Sequence, residues 1–411
     1  MIITSRIARY LLIFLTVFVL AAIVSQYYWM AFEKAIFPPK VYYSPISENF
    51  VITKIRNRRY YIQDKEGNNL TRKDFEQLLP FITYKQLLYK GIMPDTIQNI
   101  PVDIHKIRAN SFSIILKPKE ITAYHIPLAP LIESAPNGPD LQLPDDMFRI
   151  TNRIEFLNCQ TNTINEEKSK LFSEVLTKKG FVFPAKKMFG NPSVRKSFDE
   201  GYFIIDSKDQ LFHLKRIKNK PYCKKITLPK GVKIKFMKIR ELNMKEFYGI
   251  AVSENNRLFI ITYDNYKFIE LPSEGYKSSE MQIKFTGDLL YRVLTLSAKD
   301  SVISFAMNKN YKVIDNFFEK WEGNNKTAAG IFFNNFFPIK FSLTDRNNSN
   351  VNFYLEYNYT FIVNIILTII AFFVLLKYFK RKPVTQILDL AIIIFTGIFG
   401  FVAVLLIRDE N

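Results

Sequence analysis

Two apolar runs near the end of the chain, FIVNIILTIIAFFVLL at 361–376 and ILDLAIIIFTGIFGFVAVLLI at 387–407, decide how the rest is read. A bilayer core about 30 Å thick takes roughly 20 apolar residues at the helical rise. Both runs approach that length, and Asp389 is their single ionisable residue. Between them lie Lys377, Lys380, Arg381 and Lys382, followed by Pro383, whereas the closing Arg408-Asp409-Glu410 is net acidic. Excess Lys and Arg marks cytoplasmic loops. The linker is therefore expected in the cytoplasm and the C-terminus outside.

The other end of the chain agrees. Arg6 and Arg9 precede an apolar run from Tyr10 to Val24, which continues into Tyr27, Tyr28 and Trp29, aromatic residues suited to a membrane interface. The alternative is a cleaved signal peptide, for which Ala21-Ala22-Ile23-Val24-Ser25 is a poor cleavage site. The organisation expected is an anchor at 1–32, a β-rich extracytoplasmic region with helices and Pro-rich loops at 33–200, a repeated β-sheet region at 201–358, and spans at 359–378 and 385–407. Three spans with the N-terminus inside leave one large domain outside.

Of the 57 Lys and Arg, 50 fall in 33–358, as do 35 of the 38 Asp and Glu, a net charge of +15 for that region. Such a surface suits anionic lipid or glycan, or an acidic protein face, and nucleic acid does not fit a partner on that side. The only cysteines, Cys159 and Cys223, lie there too; the compartment permits a disulfide, and two free buried thiols are the other reading.

Local signals are clear in several places. Thr71 with Asp74 approximates a capping box, for a helix that Pro80 breaks or kinks. Thr163 or Asn165 can cap a helix over 166–179 that Gly180 stops, with Leu171, Phe172, Val175 and Leu176 on one face. Closely spaced prolines between Gly91 and Asp146 exclude long helices there.

After Gly201 a repeat emerges. Tyr202-Phe-Ile-Ile-Asp leads through a polar turn to Gln210-Leu-Phe-His-Leu; Tyr248-Gly-Ile-Ala-Val leads to Arg257-Leu-Phe-Ile-Ile; Tyr291-Arg-Val-Leu-Thr-Leu leads to Ser301-Val-Ile-Ser-Phe. Third strands follow from Cys223, Tyr266 and Tyr311, and a looser fourth copy starts at Phe337. A period in the forties with several strands per unit is the mark of propeller blades. The fold class expected is mainly β, a propeller-like domain on three transmembrane helices, with a β-sandwich or meander as the alternative. Residues 50–63 could add a further blade.

The stretch LFSEVLTKKGFVFPAKKMFGNPSVRKSFDEGYFIIDSKDQLFHLK, residues 171–215, resembles an uncharacterised family of membrane proteins from Bacteroides-type bacteria, a domain of unknown function often encoded beside ABC-transporter ATPase subunits. Gly-Asn-Pro, Phe-Asp-Glu-Gly-Tyr and Leu-Phe-His-Leu-Lys are its distinctive pieces. The resemblance implies a bacterial inner membrane location and a genomic neighbourhood, with no catalytic residue to carry over.

The residues themselves offer little chemistry. Asp199 and Glu200 are adjacent and point to opposite sides of an extended chain, so a turn, with Gly201 at positive φ, is expected instead of a carboxylate pair. His213 shares no metal-ligand spacing with His105 or His125, and no nucleotide loop or nucleophile elbow occurs. No catalytic, cofactor or metal residue is therefore assigned. Lys215, Arg216, Lys218 and Lys220 form the densest basic cluster, either a solvated face or a surface for an anionic partner. In the apolar runs Asn364, Thr368 and Ala371 share one helical face, and Thr396, Gly400 and Ala403 another. They either join the two helices or dock another membrane subunit. Asp389 is expected at the cytoplasmic interface near Lys382.

Two functions follow as expectations. One is a non-enzymatic subunit of an ABC-type transport system, partnered by ATPase and permease subunits. The other is an anchored envelope enzyme or glycan-binding protein whose aromatic residues stack on sugar rings.

Overall fold

The computed structural model describes residues 2–32, 37–56, 59–136, 138–323, 326–342, 354–358, 360–377 and 387–407. The basic linker residues 380–383, the acidic end 408–410 and Tyr359 lie outside the described residues. The chain divides into two units, one of residues 1–37 with 320–411, the other of residues 38–319. Helix α1 (Ile2–Phe32) opens the first and is taken up with it below.

The second unit is mainly β. Strands β1 (Lys40–Tyr43), β2 (Phe50–Arg56) and β3 (Arg59–Asp64) form an antiparallel sheet. Helices α2 (Arg72–Leu78) and α3 (Pro80–Tyr89) follow, the first held by the complete Thr71–Asp74 capping box and the second starting at Pro80 itself. A missing N–H costs nothing at a first helical position, so Pro80 separates two helices where the sequence allowed a kink in one. The proline-rich stretch carries short pieces: β4 (Thr96–Ile97), β5 (Ile100–Pro101), α4 (Ile104–Asn110), β6 (Phe112–Leu116) and α5 (Pro118–Thr122). Then come the hairpin β7 (Asp146–Ile150) and β8 (Ile154–Asn158) and the helix α6 (Glu166–Lys178). Asn165 caps α6, Phe172 and Leu176 are fully buried, and Gly180 follows it at φ 84°. Leu171, expected on the buried face, is exposed instead, one position outside the narrow apolar stripe of a surface helix.

Three four-stranded antiparallel meanders follow in sequence. The first is β9 (Lys187–Gly190), β10 (Tyr202–Ile205), β11 (Leu211–Ile217) and β12 (Lys220–Ile226). The second is β13 (Ile234–Ile239), β14 (Phe247–Ser253), β15 (Leu258–Thr262) and β16 (Phe268–Leu271). The third is β17 (Gln282–Gly287), β18 (Arg292–Ser297), β19 (Ser301–Met307) and β20 (Val313–Lys320), with β6 added beside β17. The copies seen in the sequence are strands two to four of each sheet. Their turns share a chemistry: Asp206 accepts from the backbone of Lys208 and Gln210, Ser253 from that of Arg257, and Asp209 and Asn256 sit at positive φ. Short polar side chains bonding local backbone donors are what such turns require.

Strands β10, β14 and β15 are buried at every residue, which explains their unbroken apolar runs. Phe203, Phe247, Phe259, Phe285, Leu294 and Leu296 belong to one core shared by the three meanders. A second core joins Phe148 and Phe156 of the hairpin and Phe172 of α6 to Phe212 and Leu214 of β11. Burying each such ring contributes roughly 2–3 kcal/mol of transfer free energy. Among the described residues no closed barrel or propeller ring is found.

The apolar unit resumes with α7 (Ala328–Phe336), β21 (Ile339–Ser342), β22 (Tyr354–Tyr357), α8 (Phe361–Lys377) and α9 (Ile387–Leu406). Where a fourth repeat was expected from Phe337, that residue caps α7 and only the two-stranded pair β21–β22 follows before α8. Phe333 and Phe337 pack around Tyr28 of α1, so this aromatic run serves the helix and not a sheet. By length and composition α1, over Arg6–Phe32, and α9 suffice to cross a membrane, and α8 is a shorter apolar helix. Three straight spans are not what the structure contains. Helix α9 breaks at Gly397 (φ 53°, ψ −131°), a backbone conformation that only glycine adopts readily.

Candidate functional site

The three distinctive pieces of 171–215 converge on one buried cluster where the first meander meets the second. Two glycines make room for it. A Cβ on Gly190 would meet the Tyr202 ring at 2.5 Å, and one on Gly201, at φ 63°, would meet the Leu214 carbonyl oxygen at 2.2 Å. The chain between them turns back so that Lys196 Nζ donates to the Asn191 carbonyl at 2.6 Å, to Glu241 Oε1 at 2.6 Å and to Asp199. All three donors of the ammonium are used. Asn191 Nδ2 donates to the other Glu241 oxygen at 2.7 Å, and the Gly201 amide to Asp199 at 2.8 Å. Burial raises the Asp199 carboxyl above its usual range, against the pull of Lys196.

Beside this knot lies His213. Its ring stacks on Phe203 at 4.2 Å and meets the Tyr248 ring edge-on at 5.1 Å. Nε2 faces the Glu200 carbonyl, which can only accept, so Nε2 carries the proton and Nδ1 accepts from the Tyr266 hydroxyl at 2.8 Å. Burial, aided by the Lys215 charge, pushes its pKa down to about 3, and the ring is neutral near pH 7. Tyr263, Tyr248 and Tyr266 stack in that order, at 4.0 and 5.1 Å. Desolvation raises all three phenols, Tyr248 to about 12. Tyr266 is brought to the histidine by a turn in which Asn265 and Tyr266 both take positive φ.

Each charge in this cluster is held by a partner inside the fold, Glu200 pairing with Lys215. The arrangement binds two sheets together and keeps a neutral imidazole away from water. Among the described residues no group of three His, Cys, Asp or Glu could hold a metal ion. Asp199 and Gly201 form the turn the sequence implied. Tyr248 and Tyr266 show in the sequence only as strand starts of the repeat and Glu241 not at all, because nothing local says that they meet residues tens of positions away.

The basic cluster is half neutralised. Lys215 is taken by Glu200, Arg216 pairs with Glu133 at 3.3 Å, and the Glu133 carboxylate also accepts from the backbone of Lys218 and Asn219. The side chains of Lys218 and Lys220 stand exposed. Both cysteines are free, Cys223 buried as the thiol reading expects and Cys159 exposed against it; burial pushes the Cys223 thiol up to about 12.

In the apolar unit the two small-residue faces meet each other. Asn364 Nδ2 donates to the Ile394 carbonyl at 3.0 Å, and Ala371, Gly400 and Ala403 are buried. Thr368 and Thr396 donate to carbonyls of their own helices, at 2.7 and 2.6 Å. The expected docking face is thus used in joining α8 to α9. Asp389 is fully buried, and both its oxygens accept from Arg9, at 2.9 and 2.8 Å; its partner is the guanidinium of α1.

A family described as "Domain of unknown function (DUF4857)" matches residues 40–307, from the first residue of β1 to the last of β19. No curated protein matches the chain. Among solved structures, "Dihydro-heme d1 dehydrogenase NirN in complex with DHE" aligns over 78% of this chain and 54% of its own, at 8% identity and a TM-score of 0.27. The chain thus spans about half the length of that protein.

Proposed function

Since the chain belongs to the DUF4857 family and joins that domain to an apolar helical unit, we propose that it is a membrane-anchored, non-catalytic subunit of an ABC-type transport system. Its β-rich domain lies outside the cytoplasmic membrane of a bacterium as a partial propeller and binds or senses a partner. The resemblance of residues 171–215 motivates the transport context.

The observation that carries the reading is the internal pairing of the buried cluster. Lys196, Asp199 and Glu241 are each almost wholly buried against one another, and a group enclosed by its counter-charges builds an interface between sheets. What remains presented to a partner is surface, and exposed Lys218 and Lys220 belong to its cationic part. The anchor reading is supported by α1, long and apolar enough to cross a bilayer, with Tyr28 and Trp29 near its end.

The test is purification of the tagged full-length chain from its native membrane in mild detergent, with mass spectrometry and an ATPase assay. Recovery of an ATP-hydrolysing subunit together with a second multi-span protein supports the proposal. A chain that purifies alone and retains anionic glycans, with retention lost in Lys218→Glu/Lys220→Glu, replaces it with an envelope-binding function.

A further inference from the structure

We propose that residues 387–407 are a re-entrant helical hairpin, entering and leaving the membrane on the side where α1 begins, so that the chain after Ile407 lies on the opposite side from the β-rich domain. The inference rests on the membrane reading of α1 and α8 and is independent of the transport reading.

The geometry comes from one side chain. Arg9 holds both oxygens of Asp389, and its Nε also donates to the carbonyl of Ile407 at 3.2 Å. In a straight helix those two residues would stand about 27 Å apart at 1.5 Å per residue. A guanidinium is only a few ångströms across, so the two ends of the apolar run are folded together. The fold point is Gly397, whose φ of 53° and ψ of −131° reverse the helix. A Cβ there would lie 2.4 Å from Asn364 Oδ1 and 2.8 Å from Pro338.

A bend inside a bilayer exposes backbone carbonyls that lipid cannot satisfy, and it persists only where protein supplies the donors. They are present. Asn364 donates to Ile394 and the Tyr357 hydroxyl to Phe395 at 3.1 Å, the two carbonyls just before the fold. The Thr360 hydroxyl in turn holds Asn364 Oδ1 at 3.0 Å, fixing which end of the amide faces the bend. Asn364, an unexpected polar residue in an apolar helix, thereby has its reason.

Length and charge agree. Each arm has about ten residues and reaches roughly 15 Å, half of a hydrocarbon core about 30 Å thick. With both ends on one side, Arg6 and Arg9 before the first apolar run, Lys377, Lys380, Arg381 and Lys382 after the second, and Arg408 after the third all share that side, a more complete segregation of positive charge than three crossings give. It also removes the need to carry the acidic end across.

Native Cys159 is exposed and Cys223 buried, so the full-length chain needs only one added reporter, Asn411→Cys. Intact and permeabilised spheroplasts are treated with a membrane-impermeant maleimide, and labelling is compared with Cys159→Ser and with the unmodified chain. The expected result is labelling of Cys159 in intact cells and of position 411 only after permeabilisation. Labelling of both positions from the same side, whichever side it is, overturns the hairpin and restores α9 as a crossing helix. Release of the chain from membranes by alkaline carbonate overturns the membrane reading and the hairpin with it. Loss of the ATPase partner with opposite-side labelling retained leaves the hairpin standing and removes only the transport reading.

Discussion

The hydroxyl of Tyr266 donates to Nδ1 of His213 across 2.8 Å, tying the β15–β16 turn of the second meander to the middle of β11 in the first. Because the other ring nitrogen is committed to the Glu200 carbonyl, a second proton on the imidazole would sit on Nδ1 and force the Tyr266 hydroxyl to turn from donor to acceptor.

That geometry sets a dependence on pH. The pKa of His213 is about 3 in the fold and near 6.5 for a free histidine. Between these values the unfolded chain binds the extra proton, so stability rises with pH, and the histidine's contribution is lost progressively as pH falls below about 6.5. His213→Gln keeps a donor and an acceptor but does not titrate. Relative to that variant, the wild type in detergent should lose about 2–3 kcal/mol more on going from pH 7 to pH 4.5. Parallel denaturation curves at the two pH values would remove His213 from the account.

Lys196 should be among the most sensitive positions in the β-rich domain. Lys196→Met leaves the carboxylates of Asp199 and Glu241 buried without a cation, a change that costs about 3–5 kcal/mol when a buried pair is broken. The triple variant Lys196→Met/Asp199→Asn/Glu241→Gln removes the charges together and should recover a large part of that loss. Denaturant midpoints measure both. Equal midpoints for the single and triple variants would show that packing, not charge, dominates the site.

How much of this was readable in the sequence follows from the range of each interaction. The Thr71–Asp74 box, the Asn165 cap, the Gly180 stop and the turns at Asp206 and Ser253 are local, and their signals sit within a few residues. The repeat was visible because each meander is built from neighbouring strands. The addition of β6 to the third sheet pairs Ile114 with Phe285, and Lys196 meets Glu241 across 45 positions; neither leaves a periodic trace. The break of α9 was hidden because Gly397 in an apolar run reads as a packing residue; its backbone angles and the bonds from Arg9 to both ends of the run show that it turns back.

Glycine positions separate strain from mere flexibility. Gly201→Ala meets both a φ of 63° and a carbonyl oxygen 2.2 Å from the new Cβ, whereas Gly231→Ala, at φ 74°, meets nothing within 4 Å. The control should cost about 1 kcal/mol from its backbone alone. Gly201→Ala should cost at least about 2 kcal/mol, since the Leu214 backbone must move as well. Thermal midpoints of the two variants, compared with wild type, decide it; equal shifts would mean that the β10–β11 edge yields without penalty.

The two thiols should differ as sharply. Cys159 is exposed, while Cys223 is enclosed by the second core beside Leu214 and carries a pKa pushed up to about 12 by burial. The thiolate is the reactive form, so at pH 8 only a small fraction, on the order of one part in 10⁴, of Cys223 would be ionised even if reagent reached it. Iodoacetamide should therefore modify one cysteine in the folded chain and two after denaturation, without prior reduction, as read by intact mass. Failure to modify either cysteine in denaturant until a reductant is added would reveal a disulfide and contradict the free thiols. Rapid modification of both in the folded chain would mean that the sheet carrying β11 and β12 opens on the timescale of labelling, and the shared core of α6 and the first meander would then be the least stable part of the β-rich domain.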